Sequence, residues 1–139
     1  MIRQSIVAEA LSWEGTPYHH HGRLKGVGVD CAMILAEVYH AVGLLEDRVE
    51  PGIYPPDWHQ HQYHELYREW LERYADQVNE PLPGDVALYK FGHVASHAAI
   101  VIDWPLVIHA YIREGVVRAD GTQGMLAGRL QSFWCIRGA

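Results

Sequence analysis

The amino-acid sequence predicts an α+β domain in which helices pack on an antiparallel sheet. Segments with helical spacing of apolar residues occupy the first half of the chain, and short alternating runs typical of strands follow residue 84. Helices first and strands afterwards is the usual order in this class of fold. Because 139 residues suit one compact unit, we expect residues 1–139 to form a single domain.

The composition argues against several kinds of partner. With 49% hydrophobic and 20% charged residues the chain has an ordinary globular composition, and its formal net charge of −6 argues against nucleic acid. No stretch reaches the roughly 18 consecutive apolar residues of a membrane-spanning helix. The start "MIRQSIVAEALSWEG" lacks the apolar core of a signal peptide. We therefore expect cytoplasmic synthesis without a signal peptide, no membrane insertion and two reduced cysteines.

The first predicted helix lies at the start of the chain. Ile2, Ile6, Ala10 and Trp13 recur at helical spacing, which gives about three amphipathic turns. The stretch "EGTPY" ends this helix, since glycine and proline both interrupt helical structure. A polar, glycine-containing loop over residues 19–29 follows.

The second predicted helix carries a cysteine at its start. In "GVGVDCAMILAEVYH", Asp30 has the side chain of an N-cap and Cys31 falls in the first turn, while Gly43 marks the end. The residues that follow Cys31 would make this helix apolar on most of its faces. We therefore expect this helix to be the central, buried one.

The remaining elements are a third helix and five strands. Residues 44–58 contain three prolines and cannot be regular, whereas "HQYHELYREWLERYADQV" has apolar and aromatic residues at helical spacing. This aromatic-rich segment, over residues 58–74, could serve as a lid or as a partner surface. After the turn "EPLPGD" come five runs with strand character: "DVALYKF", "HAAIVID", "LVIHAYI", "GVVRAD" and "QSFWCIR".

Cys31 and two distant histidines form a candidate catalytic group. A helix N-terminus favours the thiolate form of a cysteine, and an imidazole can take the thiol proton. His97 and His109 lie on consecutive strands joined by the short link "DWPL", so a hairpin would place them at the same edge. In this arrangement His97 is the base, and His109 fixes the orientation and tautomer of His97.

Two further groups near Cys31 could contact the substrate. The backbone N–H of Cys31 and the hydroxyl of Tyr18 are candidate donors to an oxyanion. Asp30 also adjoins the reacting atoms, although its main expected role is to cap the helix. The candidate site thus consists of Cys31, His97 and His109 with Tyr18 and Asp30, and it includes no metal.

These residues resemble a known family. "GTPYHHHGRLKGVGVDCAMI", "PLPGDVALY", "SHAAIVI" and "VIHA" look like the motifs of the NlpC/p60 cell-wall cysteine peptidases, with Tyr18, Cys31, His97 and His109 in the same order. The resemblance spans about Trp13 to His109. It implies a papain-like α+β core and hydrolysis of a peptidoglycan stem peptide, typically between γ-D-glutamate and a diamino acid, with no cofactor.

Two segments suggest a narrower group within that family. "KGVGVDC" and "PPDWHQH" resemble phage-tail cell-wall peptidases, which implies phage tail proteins as partners and delivery to the cell wall as part of a tail. One departure stands out. Ala32 and Met33 occupy positions where the family usually has serine and glycine, and on a helix Met33 should point away from Cys31 and pack.

Other readings of the same residues stay open. Cys31 could be an inert core thiol or pair with Cys135 in a disulfide, and the protein could be an inactive tail component or an amidase or acyltransferase on the same fold. His93 competes with His97 as the base. The histidines of "HHH" (residues 19–21) and of "WHQHQYHEL" favour solvated loop and surface positions over a metal site.

Overall fold

The computed structural model describes residues 1–45, 66–92 and 94–139 and confirms the predicted fold class. Six strands form an antiparallel sheet, and three helices pack against it. No helix in these ranges is long and apolar enough to cross a membrane.

The three helices differ in how much of their surface is buried. Helix α1 (Ile2–Leu11) buries one stripe against the core, and α3 (Leu66–Tyr74) also packs on the sheet. Helix α2 (Met33–Ala41) is buried on most sides, as its sequence predicts. It ends before Gly43, whose φ of +84° is the left-handed conformation that glycine adopts without strain.

The strands form one large sheet and one small ribbon. The ribbon pairs β1 (Arg23–Leu24) with β2 (Gly28–Val29). The large sheet has the order β3-β8-β4-β5-β6-β7. Its strands are β3 (Ala75–Val78), β4 (Val86–Phe91), β5 (Val94–Asp103), β6 (Leu106–Tyr111), β7 (Gly115–Asp120) and β8 (Leu130–Ile136).

The sheet is buried on both faces. In β5, Ala98 and Ile100 belong to the main core beneath the helices, whereas Ala99 and Val101 belong to a second apolar cluster on the other face. The alternation of side chains along a strand produces this division. The central strands are therefore mostly apolar, and the buried polar side chains within them require a partner.

Two local predictions were wrong. The run "ADQV" continues the helical pattern of the preceding segment, yet Ala75–Val78 forms a strand that pairs with β8 from Ala75↔Ile136 to Val78↔Phe133. The predicted loop over residues 19–29 contains the β1–β2 ribbon. In both places backbone pairing with a neighbouring strand outweighs the local pattern, which tertiary context commonly does.

A buried carboxylate joins α1 to the start of the sheet. Asp85, which is 1% exposed, accepts hydrogen bonds from Arg3 Nη1 at 2.8 Å and from the N–H of Leu82 at 2.8 Å. Arg3 also donates to the carbonyl of Pro83 at 2.9 Å. These contacts give Asp85 a structural role where β4 begins.

Removal of Arg3 tests this ion pair. We expect Arg3→Ala to lower the free energy of unfolding by about 2 kcal/mol in urea denaturation, because it leaves a buried carboxylate without its cation. Arg118→Ala is the control: its pair with Glu14 is solvent-exposed, so we expect a loss below about 1 kcal/mol. Equal losses in the two variants would contradict this interpretation of Asp85.

Candidate active site

Asp30 organises the backbone around Cys31. Its Oδ1 accepts hydrogen bonds from the N–H groups of Ala32 at 3.1 Å and Met33 at 2.9 Å, and its Oδ2 accepts one from the N–H of His21 at 2.7 Å. Asp30 therefore caps α2, as predicted, although the regular helix begins two residues later than expected. A carboxylate that accepts these bonds cannot donate to an oxyanion, so its role is to position Cys31.

The Cys31 thiol is buried and protonated. Its residue is 7% exposed, and burial together with the negative charge of Asp30 raises the thiol pKa to about 12. Hydrogen bonding from the hydroxyls of Tyr67 and Tyr18, and from the N–H of Cys31 itself, opposes this increase without overcoming it. The sequence indicated a thiolate at the helix N-terminus. In this structure desolvation and the charge of Asp30 instead favour the neutral thiol.

The raised pKa predicts slow alkylation. At pH 7 we expect iodoacetamide to react with Cys31 much more slowly than with an ordinary thiol, and the rate should still be rising above pH 9. The measurement uses Cys135→Ala, so that only Cys31 reacts. A plateau in the rate below about pH 8.5 would show instead a stabilised thiolate.

Two tyrosine hydroxyls lie beside the Cys31 thiol. Tyr18 is held by a bridge to Val29, and burial next to Cys31 raises its pKa well above the ordinary value, so its hydroxyl keeps its proton. The Tyr18 hydroxyl is within hydrogen-bonding reach of Cys31. Tyr67 on α3 was not predicted, although it belongs to the aromatic stripe of that helix and is 5% exposed.

His97 and His109 form the predicted pair. His97 Nε2 lies 2.7 Å from His109 Nδ1, and the two residues are 6% and 3% exposed. Their rings meet edge-on with centroids 4.9 Å apart, and the rings of Phe91 and Tyr111 pack against His97. The hairpin of β5 and β6 therefore places the two histidines together.

Burial keeps His109 neutral. It lowers the His109 pKa to about 4, so at neutral pH this ring has one N–H and one acceptor nitrogen. When His97 Nε2 carries a proton, it can donate that proton to His109 Nδ1. A neutral acceptor in this position holds the His97 ring in one orientation and one tautomer.

The low His109 pKa makes folding stability depend on pH. An unfolded His109 binds a proton near pH 6.5 and the folded one near pH 4, so unfolding becomes more favourable as the pH falls through this window. We expect wild type to lose up to about 3 kcal/mol more stability than His109→Gln between pH 7 and pH 4. Urea denaturation at each pH measures this difference, and parallel curves for the two proteins would contradict it.

The loop before Cys31 reaches the same end of the sheet as the histidine pair. The N–H of Gly15 donates to the carbonyl of Val116, and the N–H of Val116 donates to the carbonyl of Thr16. This pairing places Tyr18 and the start of β7 at one end of the molecule.

The other candidates have simpler positions. Met33 is 3% exposed in the main core, as predicted, and both cysteines are free thiols. His93 and the histidines at 59, 61 and 64 lie outside the described residues. Across residues 1–45, 66–92 and 94–139, no group of three or more His, Cys, Asp or Glu side chains is placed to hold a metal ion.

Comparison with protein families matches most of the chain to one family. The model of the NlpC/P60 family matches residues 15–134 of the chain. No curated protein matches it.

Several solved structures share the fold. The NlpC/p60 domain of the peptidoglycan hydrolase SagA is 21% identical with a TM-score of 0.64, over 96% of this chain and 98% of that one. An NLP/P60 family lipoprotein-like protein from Staphylococcus aureus is 22% identical with a TM-score of 0.65. The match covers 97% of this chain but 41% of the Staphylococcus protein.

A non-catalytic protein also has this fold. RipD from Mycobacterium tuberculosis, a non-catalytic NlpC/p60 domain protein adapted to peptidoglycan binding, is 14% identical with a TM-score of 0.59. The match covers 100% of this chain and 98% of RipD. At these identities the likeness establishes the fold alone.

Proposed function

Because the chain belongs to the NlpC/P60 family, we propose that it is a cysteine peptidase that cleaves stem peptides of peptidoglycan. The observation that carries this proposal is the His97–His109 hydrogen bond of 2.7 Å, since a neutral His109 fixes the ring that would act as the base. The position of Cys31, two residues before the start of α2, supports it further.

The proposed mechanism starts from a neutral thiol. Cys31 Sγ attacks the scissile carbonyl as His97 Nδ1 takes the thiol proton, while His97 Nε2–H donates to His109. The N–H of Cys31 and the hydroxyl of Tyr18 would stabilise the oxyanion of the tetrahedral intermediate. His97 then protonates the leaving amine. Water, deprotonated by His97, hydrolyses the resulting thioester and releases Cys31.

The proposed scissile bond joins γ-D-glutamate to a diamino acid. Incubation with a synthetic γ-D-glutamyl–lysine peptide, followed by mass spectrometry, should show two products that are absent with Cys31→Ala. Cys135→Ala is the matched control and should cleave the peptide as wild type does. Cys135 is on β8, where it contacts Arg3 of α1, and it lies outside the site. Cleavage that persists in Cys31→Ala would refute the proposal.

A second candidate is a non-catalytic domain that binds peptidoglycan or contributes to an assembly. The burial of the Cys31 thiol and its raised pKa favour this candidate. The two candidates differ in one result: such a domain would bind the peptide without cleaving it. Transfer of the acyl group to an added amine, seen in the same assay, would indicate an acyltransferase on this fold.

The setting in a phage tail is a further part of the proposal. It rests on the likeness of "KGVGVDC" and "PPDWHQH" to tail peptidases, and the second segment lies outside the described residues. In that setting the protein would be made in the cytoplasm and brought to the cell wall by a larger assembly. Its presence in purified particles, detected by mass spectrometry, would support this localisation.

A further inference from the structure

Two cations near the histidine pair form no ion pair with any residue that the structure describes. Among the described residues neither Lys90 nor Arg129 forms an ion pair, although the net charge of the chain is −6. Most other described cations do: Arg3, Arg23, Lys25, Arg68, Arg118 and Arg137 each pair with a carboxylate. In an acidic protein, two adjacent cations without a carboxylate form a local site of positive potential.

These two cations line one surface pocket. The pocket has a volume of about 510 Å³ and includes Gly92, Gly128 and Gln131 beside Lys90 and Arg129. An irregularity in the pairing of β4 with β8 shapes it, since the register shifts after Leu88. The N–H of Lys90 donates to the carbonyl of Arg129 at 2.8 Å, which fixes the two residues next to each other.

One aromatic ring separates this pocket from the proposed active site. The guanidinium of Arg129 lies over the ring of Phe91, 4.4 Å from its centroid. The same ring packs edge-on against His97 with centroids 5.4 Å apart. An extended peptide bound at His97 can therefore reach the pocket across Phe91.

We propose that Lys90 and Arg129 bind a carboxylate of the peptide substrate. This inference rests on the proposed function and adds a specificity site to it. A γ-linked glutamate keeps its α-carboxylate free next to the scissile bond, and the C-terminus of the peptide supplies a second carboxylate. The planar guanidinium of Arg129 suits a carboxylate, and the Lys90 ammonium adds a second charge.

Binding to an inactive variant tests the inference separately from catalysis. Cys31→Ala is titrated with alanyl-γ-D-glutamyl-lysine, with the same peptide amidated at the glutamyl α-carboxylate, and with the peptide amidated at the C-terminus. Calorimetry gives the Kd for each. We expect one of the two amidations to weaken binding about tenfold, and this identifies the carboxylate that is bound.

The variants decide the result. Adding Lys90→Gln and Arg129→Gln to Cys31→Ala should make the free and amidated peptides bind equally, whereas adding Arg118→Gln, a change of charge on β7, should preserve the difference. The inference is overturned if the free peptide does not bind, if neither amidation matters, or if the difference survives without Lys90 and Arg129. Hydrolysis by wild type is measured separately: carboxylate-dependent binding without cleavage would refute the peptidase and leave the carboxylate site in place.

Discussion

Replacing His97 with alanine is expected to reduce kcat/KM for stem-peptide hydrolysis on the order of 10³-fold. In this structure the Cys31 thiol has a pKa of about 12, so it cannot attack without a base that removes its proton. The proposed mechanism assigns that proton to His97, which also returns it to the leaving amine. Loss of the imidazole therefore affects both halves of the reaction.

The assay is steady-state hydrolysis of the γ-D-glutamyl–lysine peptide at pH 7. His40→Ala is the matched control, because His40 lies in the last turn of α2 and contacts the carbonyl of Leu45. We expect that control to keep nearly all activity. A His97→Ala variant with more than about a tenth of wild-type activity would exclude His97 as the base and direct attention to His93.

Replacing Asp30 with alanine is expected to lower the free energy of unfolding by about 3 kcal/mol. The carboxylate is 1% exposed and accepts hydrogen bonds from three backbone N–H groups, those of His21, Ala32 and Met33. Alanine leaves these donors without their acceptor in a site that excludes water. The loop before Cys31 and the first turn of α2 would both lose the hydrogen bonds to Asp30 that fix their backbone.

Asp30→Asn is the informative control for this prediction. Asparagine keeps one acceptor oxygen and removes the charge, so we expect a smaller loss of stability in urea denaturation. The negative charge of Asp30 also raises the pKa of Cys31, so Asp30→Asn should lower that pKa and speed alkylation at pH 8. A loss below about 1 kcal/mol in Asp30→Ala would show that the cap contributes little.

The sequence was sufficient for the parts of the fold that repeat a local pattern. Apolar residues at helical spacing predicted α1 and α2, and alternating runs predicted the five strands from β4 to β8. Local patterns failed where pairing partners decide the structure. The helical sequence pattern of α3 continues through Ala75–Val78. These residues nevertheless pair with β8 through backbone hydrogen bonds and form a strand of the sheet.

The residues of the candidate site could also be predicted from the sequence. The sequence places Cys31 after an N-cap and two histidines on strands joined by a short link. That link was sufficient to predict the His97–His109 contact, because hairpin geometry fixes which residues are neighbours. What the sequence could not supply is the environment of these groups. It indicated a thiolate at Cys31, since the helix N-terminus is visible in the pattern, whereas burial is not.

By itself, the sequence determined the order of the helices and of the last five strands, the family, and the identity of the residues that can perform the chemistry. Only the tertiary structure decided that Tyr67 hydrogen-bonds to the Cys31 thiol, that His109 is neutral, and that Lys90 and Arg129 share a pocket beside Phe91. The physical reason is common to all three. A pKa or a local potential depends on the solvent that is excluded and on the charges that meet across distant segments, and neither quantity is encoded in the spacing of residues along one segment.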